Sequence, residues 1–411
     1  MITREEALAL DAGDPLADMR DEFLLPEGVI YLDGNSLGPL HRDAATAIDR
    51  VVHEEWANGL IRSWNAADWI GLPVRCGERI APLIGAGPGQ VLCADSVSVN
   101  LFKLIAAAFE LRPGRTVLLS ERGNFPTDLY VAGGAARVLA GGQEVRLVER
   151  ADLASSLDPE VALLMLTHVD FRTGELHDMS ALTRAAHAAG ALVLWDLSHS
   201  AGAVPVHLDA IDADFAVGGT YKFLNGGPGS PAFLYVKRRL QDQARTPIEG
   251  WLGHAAPFDF GPAYEPAAGV ARFTAGTPGV IAMSALEAAL GVWGRATIEQ
   301  VRAKSTALTA LLLQLAGERL DGHGFAIASP LDPAFRGSHV SLAHPQAYAI
   351  VQALIVRGVI GDFRAPDLVR FGVAPLYTRF VDVFDAVDHL EQVMRSREYA
   401  RPQFAERALV T

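Results

Sequence analysis

Cysteine is scarce in this chain of 411 residues, which contains only Cys76 and Cys93. Two thiols cannot build a disulfide framework or a four-sulfur metal site, so we expect a protein of the reducing cytoplasm. Long apolar runs are also missing, since no stretch approaches the roughly 18 apolar residues of a membrane span. The acidic N-terminal segment MITREEALALDAGDP has no apolar signal core. We therefore expect no membrane partner.

Basic residues are outnumbered: 35 lysines and arginines face 48 aspartates and glutamates, for a formal net charge of -13. This balance argues against nucleic acid or an anionic membrane as the main partner. It does not exclude a small anionic ligand, because such a ligand responds only to local charge.

Motifs of several other enzyme classes are absent as well. The sequence has no HExxH pair for zinc and no GxSxG nucleophile elbow, and we predict no metal site. The segment GAGPGQ (residues 85–90) precedes a predicted strand and lacks the dinucleotide-binding pattern.

The middle of the chain, residues 89–237, alternates short apolar runs with helical stretches. This alternation predicts a mostly parallel sheet with helices on both faces. From residue 281 to about residue 320 the pattern is strongly helical, and a smaller α+β unit follows. We predict three parts: an arm and helix over residues 1–50 that join the small domain, a large domain over 51–275, and the small domain over 276–411.

Two charged residues follow predicted buried strands, where ligands gather in parallel sheets. Asp196 ends the run ALVLWD, where it is either a helix N-cap or an anion for a buried cation. Lys222 lies in GGTYKFLNGG, after the run DADFAVGG. A strand-end lysine is usually solvated, but one desolvated among glycines and aromatics has a lowered pKa and becomes an amine nucleophile.

The segment ADSVSVNLFKLIAAAFE places Ser96 and Ser98 just before a predicted helix. Free amides and hydroxyls at a helix start can bind phosphate. Ordinary N-capping by serine explains the same pattern equally well when the segment is considered alone.

Together, these three features fit pyridoxal 5'-phosphate, which needs an amine for its aldehyde, an acid for its ring nitrogen and a phosphate cradle. We therefore predict that Lys222 holds the aldehyde as a Schiff base and that Asp196 keeps the pyridine nitrogen protonated. The pairing of the two residues, one strand apart, is more specific than either residue alone.

The sequence resembles the kynureninase family over nearly its whole length. The resemblance is carried, in order, by the segments YLDGNSLGPL, RSWN, NFPTDLY, WDLSHSAGAVPV, GGTYKFLNGGPGSPAFLYV and VRFGVAPLYTRFVDV. It implies a fold-type-I pyridoxal-phosphate transferase fold, with a mostly parallel seven-stranded sheet between helices and a smaller α+β domain. The implied activity is hydrolysis of L-kynurenine to anthranilate and L-alanine, in tryptophan catabolism, with 3-hydroxykynurenine as a weaker substrate.

The resemblance also implies roles for individual residues. Tyr221 would join Val97 and Ser98 in binding the cofactor phosphate, and Arg370 would bind the substrate carboxylate. Because Tyr221 is next to Lys222 in the chain, we also predict that it acts as general acid or proton relay. Trp64 and Gly276 are further substrate-binding candidates. The remaining cofactor-binding candidates are Val97, Ser98, Phe125, Asp128, Thr167 and His199, together with Trp251 and Thr277, which we expect from a partner subunit of a homodimer.

The chain departs from part of the family at one pair. Animal members that prefer 3-hydroxykynurenine carry Ser-Asn where this chain has Gly276-Thr277. Because the change removes an amide that can bond the ring hydroxyl, we predict a preference for unsubstituted kynurenine.

Three other functions are open on the sequence alone. A cysteine desulfurase needs a nucleophilic cysteine in its later half, whereas Cys76 and Cys93 both precede residue 100. A class-V aminotransferase would require a keto-acid partner. A cofactor-free binding protein on the same fold is the third alternative.

Overall fold

A computed structural model describes residues 2–139, 141–404 and 406–407, so the last four residues of the predicted small domain, 408–411, lie outside the described part. The N-terminal elements are α1 (Arg4–Ala12), β1 (Phe23–Leu24), β2 (Ile30–Tyr31), β3 (Leu40–His41), α2 (Arg42–Arg50), α3 (Ser63–Ala66) and α4 (Leu72–Ile80). A π-helical segment, Val51–Gly59, continues α2 directly. None of the helices in the described residues combines the length and hydrophobicity that crossing a bilayer requires.

The central layer is a seven-stranded sheet of β4 (Val91–Cys93), β5 (Val117–Glu121), β6 (Glu144–Val148), β7 (Val161–Thr167), β8 (Leu192–Asp196), β9 (Phe215–Gly218) and β10 (Phe233–Val236). Its strand order is β4-β10-β9-β8-β7-β5-β6. The neighbours β6, β5, β7, β8 and β9 pair in parallel, and β10 is antiparallel to both of its neighbours. The predicted mostly parallel seven-stranded sheet is confirmed.

Helices cover both faces of this sheet, which is why inner strands such as β7 are continuous apolar runs rather than alternating ones. Every residue of β7, VALLMLT, is buried. The covering helices of this region are α5 (Val97–Leu111), α6 (Pro126–Leu139), α7 (Met179–Ala188) and the short α8 (Arg238–Gln241). Asp178 caps the start of α7, and the chain leaves its end through Gly190, whose φ of 80° is accessible to glycine at little cost.

The strand register brings the candidate residues to one edge. Thr167 and Asp196 are direct partners at the carboxyl ends of β7 and β8, and Asp196 pairs with Val217 of β9. The loop that carries Lys222 starts one residue beyond the end of β9. Strand-end side chains from three neighbouring strands therefore converge where an open α/β sheet binds its ligands.

The C-terminal elements are α9 (Val280–Ala289), α10 (Ile298–Arg319), β11 (Ala326–Ile327), β12 (His339–Ala343), α11 (Ala347–Val356), β13 (Val359–Ile360), β14 (Asp362–Arg364), β15 (Leu368–Gly372) and α12 (Phe380–Ser396). Strands β11, β12, β15 and β14 form a second sheet, which is antiparallel. Its core also takes in Ala7 and Leu32 from the N-terminal arm, and β2 pairs with β13.

Helix α9 belongs by its packing to the other core. Met283 and Leu286 are buried in the same apolar cluster as Ile80 and Trp195 of the seven-stranded layer. The sequence pattern instead predicts α9 as part of the small domain over residues 276–411. The boundaries at residues 50 and 275 stay a prediction.

Candidate active site

A cavity of about 290 Å³ opens at the carboxyl edge of the seven-stranded sheet. Its lining includes nine of the residues predicted from the sequence: Val97, Ser98, Phe125, Asp128, Thr167, Asp196, His199, Tyr221 and Lys222. Residues that are more than a hundred positions apart in the chain are thus brought to one site. Their individual roles stay predictions.

Lys222 differs from the other lysines of the chain. The sequence contains four, and the other three make ion pairs: Lys103 with Asp95, Lys237 with Asp209 and Asp212, and Lys304 with Asp14. Among the described residues, Lys222 has no carboxylate within ion-pair distance.

Burial lowers the pKa of Lys222 to about 8, against the opposing attraction of Asp196. Arg370 and Arg364 lower this pKa further. An amine in this state is partly neutral near physiological pH and can act as a nucleophile or a base.

The loop around Lys222 is held by its own hydrogen bonds and by a segment of the N-terminal arm. Thr220 bonds through its hydroxyl to Ser230 (2.6 Å) and to the Pro231 carbonyl (2.5 Å). The Gly38 amide donates to the Tyr221 carbonyl at 2.7 Å, and any side chain at Gly38 would collide with the Lys222 carbonyl oxygen. The lysine is therefore placed by a rigid turn.

Two buried carboxylates, Asp196 and Asp128, lie at one end of the cavity. Asp196 accepts the Ser198 amide at 2.7 Å, and Asp128 accepts the Thr167 hydroxyl at 3.0 Å through Oδ2. Oδ1 of Asp128 is buried and has no hydrogen-bond partner among the described residues. Burial and the charge of Asp196 raise the pKa of Asp128 well above its ordinary value. This end of the cavity therefore favours a ligand that places a protonated, hydrogen-bond-donating group next to the two carboxylates.

The start of α5 lies in the same cavity. Ser96 caps the helix by accepting the Val99 amide at 3.3 Å, so the alternative of N-capping applies to Ser96. Val97 and Ser98 are the first helical residues, and amides in the first turn of a helix have no acceptor within the helix. Together with the Ser98 hydroxyl they form a site suited to phosphate.

Aromatic side chains complete the walls. Phe125 packs edge-on against Phe171, with ring centroids 5.2 Å apart. The His199 ring is buried beside His339, and its Nδ1 has no partner among the described residues. Burial and the charge of Lys222 lower the pKa of His199 well below its ordinary value, so this imidazole is neutral.

Tyr221 stands next to the lysine, with Nζ of Lys222 5.7 Å from its ring centroid. Burial and the charge of Asp196 raise the pKa of its hydroxyl. The hydroxyl is thus protonated at neutral pH and available as a proton donor.

Five predicted site residues do not line this cavity, and two of them are packed elsewhere. Arg370 is 1% exposed and its guanidinium is bonded to Asp362, Ser36 and the Phe171 carbonyl. Trp64 packs edge-on against Trp69 at 5.6 Å, beside the apolar core of the large sheet.

The other three residues are exposed at the surface. Gly276 and Thr277 line a neighbouring cavity of about 220 Å³, and Trp251 is 39% exposed and stacks near Phe260. The two cavities share a wall: Ser230 faces the first, and the adjacent Gly229 and Pro231 line the second.

The structure adds lining residues that the sequence analysis did not select. They are Thr127, Phe171, Ser198, Gly219, Ser230 and Ala232. Thr127 and Ser198 are each next to a predicted residue in the chain, and Ser198 follows the end of β8 by two residues, so their neighbours in the sequence could have indicated them. Phe171 and Ser230 lie in irregular loops, where spacing gives no such signal.

The residues present fit pyridoxal 5'-phosphate. An unpartnered carboxylate oxygen of Asp128 and the neighbouring Asp196 suit a protonated ring nitrogen, and the unpartnered Nδ1 of His199 suits a polar ring substituent. Lys222 lies on the same cavity as the α5 start, so one ligand can reach the amine and the phosphate site together.

Comparison with known proteins first defines the class. The class-V aminotransferase family model matches residues 76–327. A cysteine desulfurase structure from Thermococcus onnurineus NA1 is similar with a TM-score of 0.78 at 19% identity, covering 92% of this chain and 98% of the other. The fold is therefore that of class-V pyridoxal-phosphate proteins.

More similar relatives narrow the class to one family. A kynureninase from Burkholderia pseudomallei is 52% identical and one from Pseudomonas fluorescens is 49% identical, each over 416 aligned residues and the full length of both chains. The kynureninase C-terminal domain model matches residues 301–390. The chain belongs to the kynureninase family, as the sequence motifs predicted.

Proposed function

We propose that this chain hydrolyses the Cβ–Cγ bond of L-kynurenine, using pyridoxal 5'-phosphate and one water to give anthranilate and L-alanine. One observation carries the proposal. Lys222, a buried lysine without an ion-pair partner among the described residues, lines the same cavity as the two buried carboxylates Asp128 and Asp196. Family membership supports the substrate, which the cavity alone does not define.

When bound, pyridoxal 5'-phosphate supplies an electron-withdrawing ring that stabilises negative charge on the substrate carbon next to the amine. Lys222 would hold its aldehyde carbon, Asp196 its ring nitrogen, and Val97 and Ser98 its phosphate. Phe125 would pack on the ring. Thr167 holds Asp128 in place by the hydroxyl contact described above, and His199 would face the ring's polar substituent.

The chain's own residues move the protons. Nζ of Lys222 is partly neutral near pH 8, so it can take the proton from the substrate Cα and, once protonated, donate a proton in a later step. The Tyr221 hydroxyl stays protonated and is the candidate donor to Cβ, from which the aryl carbonyl group has been cleaved. Phe125 and Phe171 give the cavity an apolar wall.

Incubation of the purified holoprotein with L-kynurenine tests the activity. We expect anthranilate and alanine in equal amounts, and none from a Lys222→Ala variant loaded with the same cofactor. Formation of a keto acid in place of anthranilate would assign an aminotransferase instead, and normal turnover by Lys222→Ala would remove Lys222 from the mechanism.

The Gly276-Thr277 pair supports a preference for unsubstituted kynurenine. Both residues are exposed and neither presents a side-chain amide. Comparing kcat/KM for kynurenine and 3-hydroxykynurenine tests this preference, and a clear preference for the hydroxylated substrate would refute it.

The working unit we propose is a homodimer in which Trp251 and Thr277 complete the partner's phosphate site. An exposed apolar groove beside Thr277 supports this proposal, since large exposed apolar patches mark interaction sites. Its lining residues are Val51, Trp56, Trp69, Pro278, Gly279, Val280, Ile281 and Ala282. Sedimentation of the holoprotein at micromolar concentration should give twice the chain mass, and a monomer would contradict the proposal.

The compartment we propose is the cytoplasm. Cys76 and Cys93 are free and fully buried, which suits a reducing environment. Fractionation of cells that produce the untagged protein tests this.

A further inference from the structure

Helix α5, whose first turn forms the candidate phosphate site, carries a lysine among its buried apolar residues. Lys103 is 0% exposed, and its neighbours Leu101 and Leu104 are buried in the core as well. Taking an ammonium group out of water is costly unless its charge is paired and its protons are bonded. A methionine would fill the same space without that cost, so packing alone does not account for a lysine at this position.

The ammonium of Lys103 reaches two acceptors from different parts of the chain. Its Nζ donates to the carboxylate of Asp95, which lies in the turn between β4 and α5. It also donates to the backbone carbonyl of Phe273 at 2.6 Å. Phe273 ends a 3₁₀-helical segment, and the chain continues from it to Gly276 and Thr277. One buried amine therefore joins the turn before α5 to the segment that contains Gly276 and Thr277.

Asp95 has an unusual backbone conformation. Its φ of 49° lies in the left-handed region, which aspartate and asparagine tolerate better than most residues other than glycine. The Asp95 carbonyl accepts the Ala232 amide, and the Ala94 amide donates to the Ala232 carbonyl, each at 2.9 Å. The turn is thus held through its backbone by Ala232 and through its side chain by Lys103.

The carboxylate of Asp95 belongs to a residue at the edge of the candidate phosphate site. Asp95 lines the neighbouring cavity together with Gly276 and Thr277, whereas the next residue, Ser96, lines the first cavity and caps α5. The side chain of Asp95 is 28% exposed, so water screens its charge only in part. Without Lys103, this negative charge would oppose a phosphate group at the start of α5.

We propose that Lys103 is a positioning residue for the phosphate end of pyridoxal 5'-phosphate. It neutralises Asp95 and fixes the turn that leads into the first residues of α5. Lys103 lines neither of the two cavities, so it acts through Asp95 and not by contact with the cofactor. This inference rests on the cofactor and its predicted phosphate site, and not on the reaction proposed above.

Lys304 offers a matched control. Its Nζ is bonded in the same way, to one carboxylate, that of Asp14, and to one backbone carbonyl, that of Pro375, each at 2.6 Å. Lys304 lies in α10, is 7% exposed and lines neither cavity. Removing either lysine deletes the same kinds of bond, but only Lys103 pairs with a residue beside the phosphate site.

The experiment titrates the full-length, cofactor-free protein with pyridoxal 5'-phosphate and with pyridoxal, which has the same ring and aldehyde but no phosphate. Wild type is compared with Lys103→Met, Lys304→Met and the double variant Lys103→Met/Asp95→Asn. The absorbance of the bound ligand gives Kd for each of the two ligands. Urea denaturation gives the stability of each variant.

For Lys103→Met we expect Kd for pyridoxal 5'-phosphate to rise roughly tenfold to a hundredfold, because a carboxylate is left unpaired beside the phosphate. Kd for pyridoxal should change by less than about threefold, since pyridoxal carries no charge for Asp95 to oppose. Adding Asp95→Asn removes the opposing charge and keeps a side chain that tolerates the left-handed turn, so it should restore most of the lost affinity. Lys304→Met should be less stable in urea and leave both Kd values unchanged.

Equal losses for the two ligands in Lys103→Met, or no recovery in the double variant, would show a purely structural role and overturn the inference. A wild type that binds the two ligands equally tightly would remove the phosphate site, and the inference with it. Because turnover of kynurenine is not measured, these outcomes do not depend on the proposed reaction.

A second variant covers the case in which Lys103→Met does not fold. Asp95→Asn alone keeps the ammonium of Lys103 and removes the carboxylate that it neutralises. We expect this variant to bind pyridoxal 5'-phosphate roughly twofold to tenfold more tightly than wild type, with pyridoxal binding unchanged. Unchanged or weaker binding of pyridoxal 5'-phosphate would overturn the inference.

Discussion

The buried amine of Lys222 gives a prediction with a definite size. An ordinary lysine with a pKa of 10.5 is about 0.3% neutral at pH 8, whereas a pKa of about 8 makes Lys222 about half neutral. The reactive fraction is thus about 150-fold larger. Capture of pyridoxal 5'-phosphate by the apoprotein should rise tenfold per pH unit and level off near pH 8.

The same pKa difference makes the free energy of unfolding depend on pH. A gap of about 2.5 between the ordinary and the folded pKa corresponds to about 3.4 kcal/mol. Because the folded pKa is lowered, this stability is present above about pH 10.5 and is lost as the pH falls through 8. At pH 7 the buried charge of Lys222 therefore lowers the free energy of unfolding of the apoprotein by about 3 kcal/mol. The variant Lys222→Met, which has no charge at this position, should regain this stability.

Urea denaturation of the apoproteins at pH 7 measures this cost. Lys237→Met is the matched control: it removes a lysine that pairs with Asp209 and Asp212, and we expect no gain in stability. A capture rate that levels off only near pH 10, or a Lys222→Met apoprotein less stable than wild type, would refute the reasoning.

Three further predictions concern the other parts of the site. Burial and the charge of Asp196 raise the pKa of Asp128, so the stability that this carboxyl contributes is present at low pH and lost as the pH rises. Asp128→Asn should therefore make the apoprotein more stable to urea at pH 8. A less stable variant would argue against the acid pair. Phe125→Leu should weaken cofactor binding by roughly twofold to tenfold in a fluorescence titration, the worth of an aromatic stack, and an unchanged affinity would place Phe125 outside the ring contact. Mixing inactive Lys222→Met with Trp251→Ala should restore up to about a quarter of wild-type activity through mixed dimers with one intact site, and no recovery after subunit exchange would exclude a shared site.

Much of the fold was accessible from the sequence because strands buried on both faces are continuous apolar runs. The runs ALLMLTHV and ALVLWD predicted β7 and β8, and Asp196 falls on the last residue of its strand as expected. The antiparallel direction of β10 was not accessible, since AFLYV has the same composition as a parallel strand. Direction depends on the loop that precedes a strand, here the one that carries Lys222.

The site was predictable where a charged residue interrupts an apolar pattern, as Asp196 and Lys222 do. It was less predictable where a role depends on partners. Arg370 lies in the middle of β15, and only the structure shows that Asp362, Ser36 and the Phe171 carbonyl all accept from its guanidinium. Trp251 and Thr277 lie outside the cavity of their own chain, which no spacing within one chain could reveal.

The most direct test of the account is to locate the amine that holds the cofactor. The chain has only four lysines, so borohydride reduction of the holoprotein followed by peptide mass mapping distinguishes them without ambiguity. We expect one pyridoxyl group per chain, on Lys222. A label on Lys103, Lys237 or Lys304, or a chain that retains no cofactor after reduction, would contradict the account.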